Sequence, residues 1–287
     1  MKTYNVVFER FDSIDKLVKA NRSRNVNKAF KSVASFGSMC ESYEHSKFTG
    51  TKSYDEAEGL LVNGWNEHVD KFKSAAKISP NVRRTQRKPA TGVVGYAPNV
   101  PNAIRGLPNS MISTETVKQK VKAVTIVYSP CVNYKWKSQE IVECGVAVMK
   151  IINLLEAQGI RVQLSIEGMS TVVNNDLSVV WVDVKNWRES LDLKKLMFPV
   201  VSPSMLRRIG FRWLETNPDI KNRRYTHGYG TPIGGGEYQG TVKIMKHHGL
   251  LKENEYYITA PACRENGYDP DKIMEFVGMA KLKQRSA

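Results

Sequence analysis

Acidic residues are missing from a long stretch of this sequence: between Lys71 and Thr114 there is none. Over all 287 residues, 43 lysines and arginines face 28 aspartates and glutamates, for a formal net charge of +15. Self-repulsion of that size is normally offset by an acidic partner, and nucleic acid is the first candidate. A basic surface kept for solubility is the competing reading, since bulk charge specifies neither fold nor site. Other absences narrow the class. No apolar run approaches the roughly 20 residues of a membrane span, and the start MKTYNVVFERFDS has no hydrophobic signal core, so a soluble, intracellular chain is expected. The four cysteines, Cys40, Cys131, Cys144 and Cys263, form no CxxC pair, which points to reduced thiols and no structural zinc. None of the five histidines stands four residues from another, and the adjacent His247 and His248 cannot share one helix face, so no metal site is expected.

What is present is segregated. Between Lys16 and Cys40 lie six basic residues and no acid, with Lys28 and Lys31 at the far end. The acid-free stretch after Asp70 carries eight more, among them Arg83, Arg84, Arg87 and Lys88, while Glu41 to Asp70 is acidic on balance. Segregation of this kind favours a binding surface over a diffuse solubility coat. In SPSMLRRIGFRWLETNPDIKNRRYTHGYG, arginines interleave with aromatics as backbone-tracking and base-stacking surfaces require, and Arg223, Arg224 and Tyr225 are its best contact candidates. For Arg207 and Arg208 an internal role is equally well supported: Leu206, Ile209 and Trp213 are core, and an arginine pairs with an acid such as Asp183 or Glu215.

The pattern predicts an α/β protein with three parts. Residues 1–77 read as an α-rich unit opening with a strand over TYNVVFERF and a helix over SIDKLVKA. Its clearest helix starts at SYDEAEGLLVNGW, capped by Ser53 and Glu56, with Trp65 as a packing anchor. Residues 78–118 read as a basic, Pro/Gly-rich connector. Within it, GYAPNVPNAIRGLPNS carries too much apolar surface for a solvated linker and is expected to be an ordered, irregular strap on the following domain. Residues 119–287 read as a small Rossmann-like domain: a buried strand KAVTIVYSPC, a helix over SQEIVECGVAVMKIINLLEAQG capped near Ser138, a left-handed stop at Gly159, and a second strand IRVQLSIEG with Ile160, Val162, Leu164 and Ile166 on one face. LSVVWVDVKNW follows as a neighbouring antiparallel or edge strand. Helices over LDLKKLMFP and SPSMLRRIGFRWLE, a strand EYYITAP and a helix opening at Asp269-Pro270 complete the domain.

Two chemical constellations come close without forming. GGGEYQGT at 234–241 nearly has phosphate-loop spacing, but Thr241 stands where the phosphate-binding lysine belongs, and no helix is expected after it. Glu167, Asp176, Asp183 and Glu215 lie at or near element ends, where two-metal nucleases keep carboxylates, although capping and turn roles explain them better.

The segments YDEAEGLLVNGW, GYAPNVPNAIRGLPNSM, VTIVYSPC, LLEAQGIRVQL and FPVVSPSMLRRIGFRWLE together resemble an uncharacterised family of bacteriophage and prophage proteins of the DUF7192 type, over about residues 30–235. The resemblance implies a viral origin and no particular reaction. The central strand–helix–strand also resembles the first βαβ unit of von Willebrand A-type domains. Tyr128-Ser129-Pro130-Cys131-Val132 lacks the aspartate of that family's metal loop, so the resemblance implies no metal site here.

The function expected from all this is a phage-encoded accessory protein in the host cytoplasm or associated with the virion. It would bind DNA or RNA through phosphates with little sequence preference, using no cofactor and no membrane. A phage structural or assembly protein docking a protein partner is the alternative. An enzyme on the Rossmann-like sheet has no constellation to carry it.

Overall fold

The computed structural model describes residues 3–26, 39–41, 46–67, 69–76, 87–116, 122–132, 135–173, 175–220, 233 and 238–283. Its strands are β1 (Asn5–Phe11), β2 (Arg87–Gly92), β3 (Ala97–Pro98), β4 (Met111–Thr116), β5 (Ala123–Ser129), β6 (Arg161–Val173), β7 (Asp176–Lys185) and β8 (Glu255–Thr259). The helices are α1 (Ile14–Ser23), α2 (Ser46–Thr49), α3 (Tyr54–Asn63), α4 (Val69–Ala76), α5 (Val100–Ile104), α6 (Ser138–Ala157), α7 (Leu193–Val201), α8 (Phe211–Thr216), α9 (Tyr238–His247), α10 (Ala260–Glu265), α11 (Pro270–Phe276) and α12 (Ala280–Lys283). Two compact units result, one from residues 1–79 with 123–287 and the other from residues 80–122.

The larger unit is built on a sheet of order β1-β7-β6-β5-β8, with every pairing parallel except that of β6 with β7. It is the α/β fold expected from the sequence. The apolar run of β5 is buried from Ile126 to Ser129 because helices cover both faces of its sheet. The chain then climbs α6 and leaves it at Gly159, whose φ of +78° suits a residue without a side chain. It returns as β6 with Val162, Leu164 and Ile166 fully buried on the face that α6 covers. The cap of α6 sits one residue before the expected Ser138, at Lys137, whose N–H donates to Glu140 Oε2 at 2.8 Å. Strand β7 is antiparallel to β6, as expected, and lies inside the sheet because β1 covers its other edge.

That edge strand belongs to the segment the sequence reads as an α-rich unit of its own. Here Phe11, Leu17, Tyr54, Ala57, Leu61 and Phe72 enter the same buried cluster as Ile141, Val148 and Ile152 of α6. Ser13 and Ser53 cap α1 and α3 by accepting from Lys16 N and Glu56 N, and Trp65 meets Phe198 edge to face at 6.1 Å. On the opposite face of the sheet, Val127, Val179, Trp181 and Tyr257 pack with Tyr238 and Met245 of α9.

In the smaller unit β4 is central, with β2 and β3 antiparallel on its two sides. Residues 93–96 carry the chain across from one side to the other, and Tyr96 N–H donates to Ile112 O at 2.9 Å. A Cβ on Gly95 would lie 2.2 Å from that same oxygen, so only glycine permits the crossing. Asn99 then caps α5 by accepting from Asn102 N at 3.3 Å, with Pro101 in the first turn where its missing N–H costs nothing. The side chain of Asn102 ties the return by donating to Asn109 O at 3.3 Å. GYAPNVPNAIRGLPNS is thus a short strand, a helical turn and a return fastened by its own backbone and by Asn102.

Candidate functional site

Charge concentrates in the smaller unit. Its 43 residues hold eight lysines and arginines and a single acid, Glu115, giving +7 of the chain's net +15. Of the positions expected to contact nucleic acid, Arg87 and Lys88 open β2, where their backbones pair with Thr116 and Glu115. Lys28, Lys31, Arg83, Arg84, Arg223, Arg224 and Tyr225 lie outside the described residues. The structure therefore brings two of the expected site residues onto one strand and adds a third basic residue, Arg105, exposed just after α5.

Several described cations of the larger unit are paired with its own carboxylates. Arg10 reaches Asp183 at 3.1 Å, Glu255 at 2.6 Å and Ser165 at 2.9 Å; burial works against its charge, but the two carboxylates outweigh it and hold its pKa up. Arg24 grips Glu9 with two bonds of 2.8 and 2.9 Å. Burial raises the pKa of Glu9, yet the hydrogen bonds from Arg24 and Trp213 bring it below its ordinary value. Lys16 pairs with Asp12, and Arg22 with Glu58. Much of the Lys16–Arg24 charge is thus neutralised within the fold.

Arg207 and Arg208 follow the internal alternative with different partners from those expected. Both lie in a wider π-type turn over Met205–Gly210 that leads into α8. Arg208 is fully buried and donates to Cys40 O at 2.7 Å and Thr51 O at 2.9 Å, while Arg207 stacks on Phe48 and Phe211. Asp183 belongs to Arg10, and Glu215 accepts from the backbone N–H groups of Met39 and Cys40. Asp176 accepts from Asn5. The carboxylates considered for metal chemistry are each held in a separate network. Among the described residues no group of three or more His, Cys, Asp or Glu is placed to hold a metal ion.

Two cavities among the described residues bear on a ligand site. A cleft of about 560 Å³ between α1 and α3 is lined by both signs of charge, with Asp15, Asp55 and Glu58 against Lys19 and Arg22, and offers an anion no net attraction. The second lies at the carboxyl ends of β5 and β8, beside the point where the chain order of the sheet reverses and open α/β sheets commonly bind ligands. There Glu167 is completely buried and accepts from Ser129 Oγ at 2.8 Å, Ser170 Oγ at 2.6 Å, Tyr257 OH at 2.8 Å and Trp181 Nε1 at 3.3 Å. A skip in the β6–β7 register at Gly168 aims it inward. Burial raises the pKa of Glu167 above its ordinary 4.5, and burial with the neighbouring Glu167 pushes the Cys131 thiol up as well. The void left is about 10 Å³, room for one water at most, so these groups form a closed lock with no space for a substrate.

The sequence profile of a domain of unknown function, DUF7192, matches residues 1–283. The chain belongs to the DUF7192 family. No curated protein and no solved structure matches it.

Some features of this DUF7192 chain have weak sequence signals. Helix α9 begins at Tyr238, inside what reads as a glycine-rich loop, and Thr241 uses its hydroxyl to bind Ile233 O at 2.9 Å. The alternation of Tyr238, Thr241 and Met245 on a buried face is the helical signal, masked by the glycines before it. The lock around Glu167 joins residues from four strands, and only its acidic member stands out in the sequence.

Proposed function

We propose that this DUF7192 chain is a phage- or prophage-encoded nucleic-acid-binding accessory protein acting in the host cytoplasm. The observation that carries the reading is the concentration of charge: the compact unit at 80–122 has a net charge of +7 in 43 residues, while Arg10, Arg24, Arg207 and Arg208 of the larger unit are committed to internal carboxylates, carbonyls and rings. Phosphates are the partner that such a unit suits, through contacts that position the protein without reading sequence. The likeness of β5-α6-β6 to the first βαβ of von Willebrand A-type domains belongs to the same proposal. Parallel pairing across a helical crossover supports it, and the loop after β5 carries no aspartate in the metal-loop position.

The test is binding to labelled single- and double-stranded DNA and RNA across a salt series, with Arg83, Arg84, Arg87 and Lys88 changed together to alanine in a parallel sample. Log affinity should fall steeply with log salt, and the quadruple variant should lose about 3 units of that slope on single strands, at roughly 0.7 per phosphate contact. Absence of binding by the unaltered chain at physiological salt would defeat the reading and turn the charge toward an acidic protein partner in phage assembly.

A further inference from the structure

Six apolar side chains of the smaller unit remain on its surface although the segment is ordered. Val93, Val94 and Tyr96 on the crossing are 71%, 82% and 71% exposed, Val100 and Ile104 lie one turn apart on α5 at 57% and 80%, and Leu107 follows at 45%. No acid occurs anywhere from residue 93 to residue 110, and Arg105 sits between Ile104 and Leu107.

Building on the nucleic-acid reading, we propose that this apolar surface receives the unpaired bases of a single-stranded nucleic acid while the unit's basic residues hold its phosphates. A closed duplex presents sugar–phosphate and base edges to a protein and keeps its base faces stacked inside. Only a strand with unpaired bases offers flat apolar faces together with an anion at every nucleotide. The segment presents such apolar faces, an aromatic ring and aliphatic side chains with Arg105 among them, in a unit of net charge +7. A second copy of the chain is a poor occupant, because it would bring two units of +7 together within the roughly 8 Å over which charges repel at physiological salt. The backbone that carries Tyr96 is held in advance: its N–H is bonded to Ile112 O and the glycine before it fixes the crossing, so no main-chain ordering remains to oppose stacking.

The experiment compares oligo(dT) and oligo(U) of about 20 nucleotides with a duplex of the same length, at physiological salt. It uses the full chain and three variants: Tyr96→Ala, Tyr96→Phe and the double change Val94→Ser with Ile104→Ser. Single strands should bind about tenfold tighter than duplex. Tyr96→Ala and the double variant should each weaken single-strand binding by about tenfold, at unchanged duplex affinity and salt slope. Tyr96→Phe, which keeps the ring, should bind as the unaltered chain does. Because all these side chains are exposed, circular dichroism and thermal midpoints should not move. Equal affinity of Tyr96→Ala, the double variant and the unaltered chain for single strands, or equal losses on single strands and duplex, would overturn the inference and leave the electrostatic reading standing. Failure of the unaltered chain to bind any nucleic acid, with or without capture of an acidic protein, would remove both.

Discussion

Arg208 and Glu167 are ionisable side chains held away from water, and each is met by groups that a sequence does not display. The guanidinium of Arg208 ends on main-chain carbonyls of Cys40 and Thr51, about 160 residues away, so nothing in SPSMLRR separates it from a surface arginine. Replacing Arg208 with alanine leaves those acceptors buried and unpaired, and should cost about 3 kcal/mol in urea unfolding. Nucleic-acid affinity of the folded fraction should stay unchanged. Glu167 makes a pH prediction. Because burial raises its folded pKa above the ordinary 4.5, its protonated form is favoured in the fold. Its contribution is therefore absent below about 4.5 and becomes a growing penalty as pH rises through the folded value. Glu167→Gln should lack that component, so the stability difference between variant and unaltered chain should move in the variant's favour over that range, read by denaturant midpoints at each pH. The sequence marked Glu167 as a candidate acid; its four donors, drawn from β5, β6, β7 and β8, appear only with the register of the strands.

At the scale of elements, the turns and caps were the legible part. Ser13, Ser53, Gly159 and Asp269 end or begin helices where their chemistry predicts, because a cap is a local bargain between one side chain and the nearest free backbone groups. The segment 95–110 was harder, since its prolines and glycines announce irregular backbone without saying which groups the freed N–H and C=O will meet. Gly95 is the position where that is decided. Gly95→Ala would force the chain off Ile112 O, and amide hydrogen exchange at Tyr96 and Asn99 should accelerate roughly tenfold or more, while exchange in β5 and β6 is unaffected. Helix α9 is hidden in the sequence because three consecutive glycines at 234–236 outweigh a helical stripe that begins only two residues later.

For the whole molecule, the α/β class followed from β5, α6 and β6, which are contiguous in the chain. The place of β1 did not, since parallel pairing with a strand far along the sequence has no local signature. Removing residues 1–11 should do more than trim an edge. It would expose the side of β7 and strip Asp183 and Glu255 of Arg10, and the shortened chain should unfold at least 3 kcal/mol more easily or emerge as aggregate on size-exclusion chromatography. The same pairing governs how the protein is made. Asn5 meets Asp176 across 171 positions, which at ordinary rates of synthesis is roughly 10 to 30 seconds of translation. Strand β1, once made, thus waits through that interval before its partner exists, and Glu9 and Arg10, the charges in NVVFERF, are residues of the kind that keep a nascent apolar segment from pairing with the wrong neighbour.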